Sequence, residues 1–119
     1  MRHTSEFEAI CENARKRVVE ISVQDAAKLA QQGALLIDVR EDHEWVKGHA
    51  KGATHLGRGI IERDIHNVAK KEQPMMLYCG GGYRSALAAD NLQKMGYKNV
   101  KSIAGGWKAW VAAGLSTES

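Results

Sequence analysis

"LYCGGGYRSALAADNLQKMG", residues 77–96, sets three glycines between a cysteine and a run of helical apolar spacing. A loop from strand to helix needs one glycine or two, because each ordered glycine costs roughly 0.5–1 kcal/mol of extra backbone entropy. Three in succession ask for a further reason, and the flanks supply it. Before them, "MMLYC" at Met75–Cys79 is a short apolar run of the kind that forms a strand buried on both faces. After them, Ala86, Leu87, Ala89, Leu92 and Met95 recur at helical steps up to a stop at Gly96. A thiol at the end of a buried strand, followed by residues without side chains, lets successive backbone N–H groups turn around the sulfur as an anion-binding nest. The positive N-terminal end of the next helix favours negative charge at the same place. Together they favour the thiolate of Cys79, the reactive form. A Cβ at Gly80, Gly81 or Gly82 is expected to obstruct an anion or force strained dihedrals. Arg84 places a permanent cation in the first helical turn, against the helix dipole, and so points to steering an anionic donor rather than to helix stability. The plainer alternative is a buried structural cysteine before a glycine-rich turn.

Outward from this stretch the chain alternates. The spacing of Phe7, Ile10, Cys11, Ala14 and Val18 predicts an amphipathic helix from Thr4 to about Arg17. Ser22 offers an N-cap to "VQDAAKLAQQG", which Gly33 ends. "ALLIDV" at Ala34–Val39 reads as a buried strand, "REDHEWVKGH" as a short helix or turn, and "GATHL" at Gly52–Leu56 as a brief strand. "GIIERDIHNVAKK" has helical spacing at Ile60, Ile61, Ile65 and Val68, and the sole proline, Pro74, separates it from "MMLYC". "NVKSIAG" is expected to be the last strand and "GGWKAWVAAG" the closing helix. Such alternation implies an α/β fold with a central parallel β-sheet flanked by helices on both faces. Residues 1–20 read as an N-terminal helical extension and 21–119 as the domain proper. Ligands of such sheets sit outside the carboxyl ends of the strands, and Cys79 is at one of those ends.

A chain of 119 residues is one domain of ordinary size. Hydrophobic residues at 44% and charged residues at 26% are the usage of a soluble globular protein. The net charge of +3 is scattered, apart from "ARKR" at Ala14–Arg17 and the Lys70-Lys71 pair, which excludes a nucleic-acid footprint. No apolar run reaches the length of a membrane span, and acidic residues occupy the place of a signal peptide's apolar region, so a cytoplasmic location is expected. Cys11 and Cys79 stand in no metal-ligand spacing, and a cytoplasmic setting keeps thiols reduced. Free thiols and no bound metal are therefore expected.

Cys-x-x-x-x-Arg between strand and helix, "IDVREDHEWVKGHAKGATHL" upstream and "IAGGWKAW" downstream together resemble a single-domain rhodanese, over about Ile21 to Leu115. The resemblance implies the rhodanese-like fold. It also implies that Cys79 takes a sulfane sulfur from thiosulfate or another persulfide donor, becomes a persulfide, and passes the sulfur to a thiol or cyanide acceptor. No cofactor is implied. Gly80, Gly81, Gly82, Tyr83 and Arg84 would form the substrate-binding loop, and a protein acceptor is a further expected partner. Thiosulfate-preferring members often carry extra cations just behind the cysteine; here glycines stand there, so the persulfide of a small thiol or partner protein is an alternative donor. Asp38 and Arg40 match the family motif and are expected to fix the Cys79 loop by hydrogen bonds. Glu44 and His49 match positions that brace the turn. Arg58, between Gly57 and Gly59, is either a second anion contact in the same pocket or a solvated arginine, with Glu62 as a helical partner. Tyr83 either shields the persulfide or packs at the helix start. Trp107 and Trp110 are expected in the core. Cys11 is either a resolving thiol for Cys79 or plain packing. Two other functions stay open: a partner-dependent sulfur-carrier or regulatory module, and a phosphatase or arsenate reductase of the same fold. The related phosphatases resemble Cys-x5-Arg, whereas four residues separate Cys79 from Arg84, a tighter cradle that suits a single sulfur.

Overall fold

The computed structural model describes residues 3–119. Thr4 caps α1 (Ser5–Arg15) by accepting from the Phe7 N–H. A three-residue strand, β1 (Val19–Ile21), leads to α2 (Val23–Gln31), whose N-cap Ser22 accepts from the Asp25 N–H. The apolar run at 34–39 forms β2 (Leu35–Asp38), and α3 (Asp42–Trp45) opens with a capping box between Glu41 and Glu44. Two short strands follow, β3 (His49–Ala50) and β4 (Thr54–His55), then α4 (Ile61–Asp64) with a 3-10 turn over Ile65–Asn67. β5 (Met75–Tyr78), α5 (Tyr83–Lys94), β6 (Val100–Ile103), α6 (Gly106–Ala112) and β7 (Thr117–Glu118) complete the chain.

Five strands make one sheet in the order β1-β6-β5-β2-β4, every pair parallel. Period-two alternation sorts their side chains between two cores. Ile37, Met75 and Leu77 face one core with Ile61, Ile65 and Leu92; Leu36, Met76 and Tyr78 face the other with Val23, Ala26 and Trp110. Each central strand is thus buried on both sides, and helices cover both faces as the sequence predicts. The central strand is β5, and Cys79 follows its last residue.

The differences from expectation lie in the shortest elements. β1 is an edge strand with Val19 55% exposed, too short and too polar to show a period. β7 follows β6 and pairs antiparallel with β3, His49 opposite Glu118, so "NVKSIAG" is not the last strand. The helix expected over "GIIERDIHNVAKK" is one α-turn and one 3-10 turn; Ile61 and Ile65 reach the core while Ile60 stays 41% exposed. The first helix stops at Arg15 and lies on α5 through the buried Cys11 and Ala14. Arg17 fixes it by donating to both carboxylate oxygens of Asp90, at 2.9 and 2.7 Å. No helix among the described residues is long and apolar enough to cross a membrane.

Candidate active site

Cys79 is 1% exposed at the carboxyl end of β5. The Gly82 N–H donates to its Sγ at 3.1 Å, and Sγ lies 3.5 Å from the Ser85 Oγ, which is itself 2.8 Å from the Ser102 Oγ. Both serines are fully buried, so the sulfur has two polar neighbours that no water competes for. The loop's carbonyls are held from outside: Trp107 N–H donates to Cys79 O at 2.7 Å, Lys108 N–H to Gly80 O at 3.2 Å, and Arg15 Nη2 to Gly82 O at 3.2 Å. Because the peptide unit is planar and trans, each held carbonyl turns the next N–H the opposite way. The N–H groups of Gly80, Gly81, Tyr83 and Arg84 make no hydrogen bond to an acceptor among the described residues. Four backbone donors are therefore free beside a thiol, at the N-terminus of a twelve-residue helix.

Two of the three glycines have separate reasons. Gly82 has φ +100°, a left-handed conformation that any Cβ strains. At Gly80 a Cβ would sit 3.0 Å from Arg84 Nη2. At Gly81 it would meet only Tyr83 Cδ2, at 4.0 Å, so the expected strain is absent there. A fourth glycine, Gly106 in α6, is fixed by contact: its Cβ would fall 2.3 Å from Cys79 O.

Arg84 is not a free cation. Its Nη1 and Nη2 donate to Glu44 Oε1 and Oε2 at 2.7 and 3.2 Å. The Arg84 hydrogen bonds hold the Glu44 carboxyl well below the usual carboxylate range, at about 2. Glu44 Oε1 also accepts from the Glu41 N–H at 3.0 Å, so α3 and α5 meet at this one carboxylate. Above them opens a cleft of about 650 Å³ lined by Gly80, Gly81, Tyr83, Arg84, Glu44, Lys108, His3 and Glu8. Lys108 is in no ion pair among the described residues.

Asp38 and Arg40 form a buried, multiply bonded pair: Arg40 Nη2 is 2.8 Å from Asp38 Oδ2, and Nε lies 3.1 Å from each oxygen. Arg40 Nη2 also donates to Gly48 O at 2.7 Å, and its guanidinium lies 4.7 Å over the Trp107 ring. The pair holds the turn after α3 rather than the Cys79 loop, contrary to the hydrogen bonds expected; its path to the loop runs through Trp107. Burial, then the Asp38 hydrogen bond, pushes the Tyr78 phenol upward, and its hydroxyl accepts from the Ala50 N–H at 3.0 Å. His49 stacks on Trp45 at 3.4 Å within the same turn.

Arg58 does not share the cleft. It lines a separate groove of about 310 Å³ between α1 and α5, with Ala14, Arg17 and Leu87. Glu62 is not its partner, since Glu62 Oε2 accepts from Asn91 Nδ2 at 2.8 Å. Tyr83 packs under α1, with the Arg15 guanidinium 4.6 Å over its ring and His3 4.5 Å away. Trp110 is buried and Trp107 half-buried against the second core. Burial pushes the Cys11 thiol up, with Arg15 opposing, and Cys11 is fully buried in the packing of α1. Sequence reasoning missed Ser85, Ser102, Lys108 and Arg15. Ser85 carried the only local signal, a hydroxyl in the first turn after the glycines.

A parallel α/β sheet carrying a thiol in a glycine loop at its central carboxyl edge defines the class. The chain belongs to the Rhodanese-like domain family, which it matches over residues 22–113. The thiosulfate sulfurtransferase GlpE of Haemophilus influenzae is 35% identical over 100 residues, covering 84% of this chain and 94% of its own. The polysulfide-sulfur transferase homodimer of Wolinella succinogenes superposes with a TM-score of 0.81 at 30% identity, over 96% of this chain and 88% of that one. A Rhodopseudomonas palustris protein described as a possible tyrosine phosphatase of unknown function superposes at 0.83 and 30% identity, over 99% of each chain.

Proposed function

We propose that the protein is a rhodanese-type sulfurtransferase in which Cys79 carries the transferred sulfur as a persulfide. The observation that carries this reading is a set of four N–H groups, from Gly80, Gly81, Tyr83 and Arg84, with no acceptor among the described residues, in the loop of a thiol that already accepts from Gly82. In the first half-reaction the Cys79 thiolate attacks the outer sulfur of a donor such as thiosulfate. A sulfur–sulfur bond forms at Cys79, the donor's own sulfur–sulfur bond breaks, and sulfite leaves with the electron pair. The new terminal sulfur is anionic, and the free N–H groups are its hydrogen-bond donors. In the second half-reaction a thiolate or cyanide attacks that terminal sulfur, and Cys79 leaves as thiolate. Ser85, backed by Ser102, donates to Sγ whenever it is charged. The curated relatives named as thiosulfate sulfurtransferases support the reaction class.

The four-residue spacing from Cys79 to Arg84 and the engagement of Arg84 by Glu44 disfavour a phosphatase, because among the described residues no unpaired guanidinium lines the cleft to clamp a phosphoryl group. Donor charge is met instead by the backbone and by Lys108.

The test is intact-protein mass before and after thiosulfate, then after cyanide, on the wild type and Cys79→Ser. The expected result is a gain of about 32 Da, one sulfur, that cyanide removes and the serine variant never acquires. Sulfur uptake persisting in Cys79→Ser, or turnover of an aryl phosphate in place of sulfur uptake, overturns the assignment.

A further inference from the structure

We propose that Arg15, which lies outside the family-matched residues, is a positioning residue for the sulfur-carrying loop. By holding the Gly82 carbonyl it turns the Tyr83 N–H of the same peptide toward the sulfur on Cys79. The inference rests on the persulfide reading of Cys79 given above.

The loop needs such a clamp because of its composition. Glycine dihedrals turn at low cost, and a rotation on the Gly82 side of the Gly82–Tyr83 peptide would swing the Tyr83 N–H away from the sulfur, weakening the attraction of an anion. The α6 backbone restrains the two peptides that begin at Cys79 and Gly80. The peptide that begins at Gly82 is restrained by a side chain, Arg15, whose Nη2 donates to that carbonyl at 3.2 Å. Arg15 is itself placed by its neighbours. Its guanidinium lies 4.6 Å over the Tyr83 ring, Glu12 pairs with Nη1, and Glu20 of the edge strand β1 lies 3.3 Å from Nε. A planar fork stacked on a ring and flanked by two carboxylates loses little freedom when it grips a carbonyl. The residue therefore joins α1, β1 and the loop at one point, and its side chain is only 21% exposed. Docking of α1 on α5 does not depend on it, because Cys11, Ala14 and the Arg17 to Asp90 pair make that contact.

The experiment uses the full chain as wild type, Arg15→Met, Arg15→Lys and Arg17→Met. Alkylation of Cys79 by iodoacetamide is followed at the peptide level from pH 6 to 9.5, beside the thermal midpoint and the kcat and KM of thiosulfate–cyanide turnover. Arg15→Met is expected to slow alkylation at pH 7 about tenfold, the scale of one lost hydrogen bond, and to regain the wild-type rate at high pH. Its kcat falls by more than its KM for thiosulfate rises, because the clamp orients one backbone N–H at the sulfur while Lys108 and the other N–H groups still attract the donor. Arg15→Lys falls between, since an ammonium reaches one carbonyl without the stacked fork; it carries the test should Arg15→Met not fold. Arg17→Met lowers the thermal midpoint and leaves the alkylation profile unchanged. Wild-type profiles in both Arg15 variants overturn the proposal, as does an equal slowing in Arg17→Met, which assigns the effect to docking of α1. Alkylation needs no sulfur donor. A wild type that takes up no sulfur but whose Cys79 slows in Arg15→Met therefore overturns the persulfide reading and leaves the clamp standing.

Discussion

At Gly82 the backbone stands at φ +100°, and a Cβ there would come within 3.4 Å of Gly105 N; at Gly81 nothing approaches closer than 4.0 Å. The two neighbours should therefore respond differently to one methyl group. Gly82→Ala is expected to lose about 1–2 kcal/mol of stability, the cost of a left-handed alanine, and most of its sulfur transfer with it. Gly81→Ala is expected to stay within about 0.5 kcal/mol of the wild type, as an open surface position does. Thermal melts of both variants check this, and equal losses would show that the positive φ of Gly82 is not what sets the two positions apart. Residue identity at this loop was legible because Cys79, the glycines and Arg84 are contiguous in sequence. The partner of Arg84 was not, since Glu44 lies forty residues away and only the fold brings the two charges to 2.7 Å. Arg58 misled for the reverse reason: its loop is at the right edge of the sheet, but its side chain turns under α1.

Among the elements, α6 carries a large share of the site. Its first turn grips the carbonyls of Cys79 and Gly80, its Gly106 admits no Cβ, and it aims Lys108 into the cleft. With Arg84 neutralised by Glu44, Lys108 is the cleft's unpaired cation among the described residues. Lys108→Glu is expected to raise KM for thiosulfate about tenfold or more at low salt, through lost attraction and added repulsion, with little change in kcat. Steady-state kinetics at two ionic strengths measure it, and an unchanged KM would move donor binding entirely onto the backbone. The long, periodic elements were readable from apolar spacing. The two- and three-residue strands β1, β3 and β7 were not, because a strand that short shows no alternation and takes its pairing wholly from its neighbours.

Over the whole molecule, the parallel sheet brings loops from distant parts of the chain to one edge, and electrostatic pairing ties them together. Glu44 illustrates the pH consequence. Its carboxyl titrates at about 2 in the fold against an ordinary 4.5, so the Arg84 pair stabilises the protein fully above pH 4.5 and the contribution fades as pH falls toward 2. Both side chains keep about a third of their exposure, so solvent screening limits the effect to on the order of 2 kcal/mol. The gap in thermal midpoint between wild type and Glu44→Gln is expected to be widest at pH 6 and to close between pH 4.5 and 2. A gap independent of pH would mean that the neutral amide is tolerated or rejected on shape alone. The architecture was legible because strand and helix alternate with two distinct periods; the way the first helix closes over the site was not, because its contacts with Tyr83 and Gly82 are made across nearly seventy residues.

The pairing of β7 with β3 also bears on how the protein is handled. Residues 117 and 118 lie one strand away from the turn that Arg40 holds at Gly48, and the opposite end of the chain places His3 in the cleft. A polyhistidine tag joined ahead of His3 therefore sits beside the cleft, and rates measured on such a protein belong to the tagged protein until the tag is cleaved.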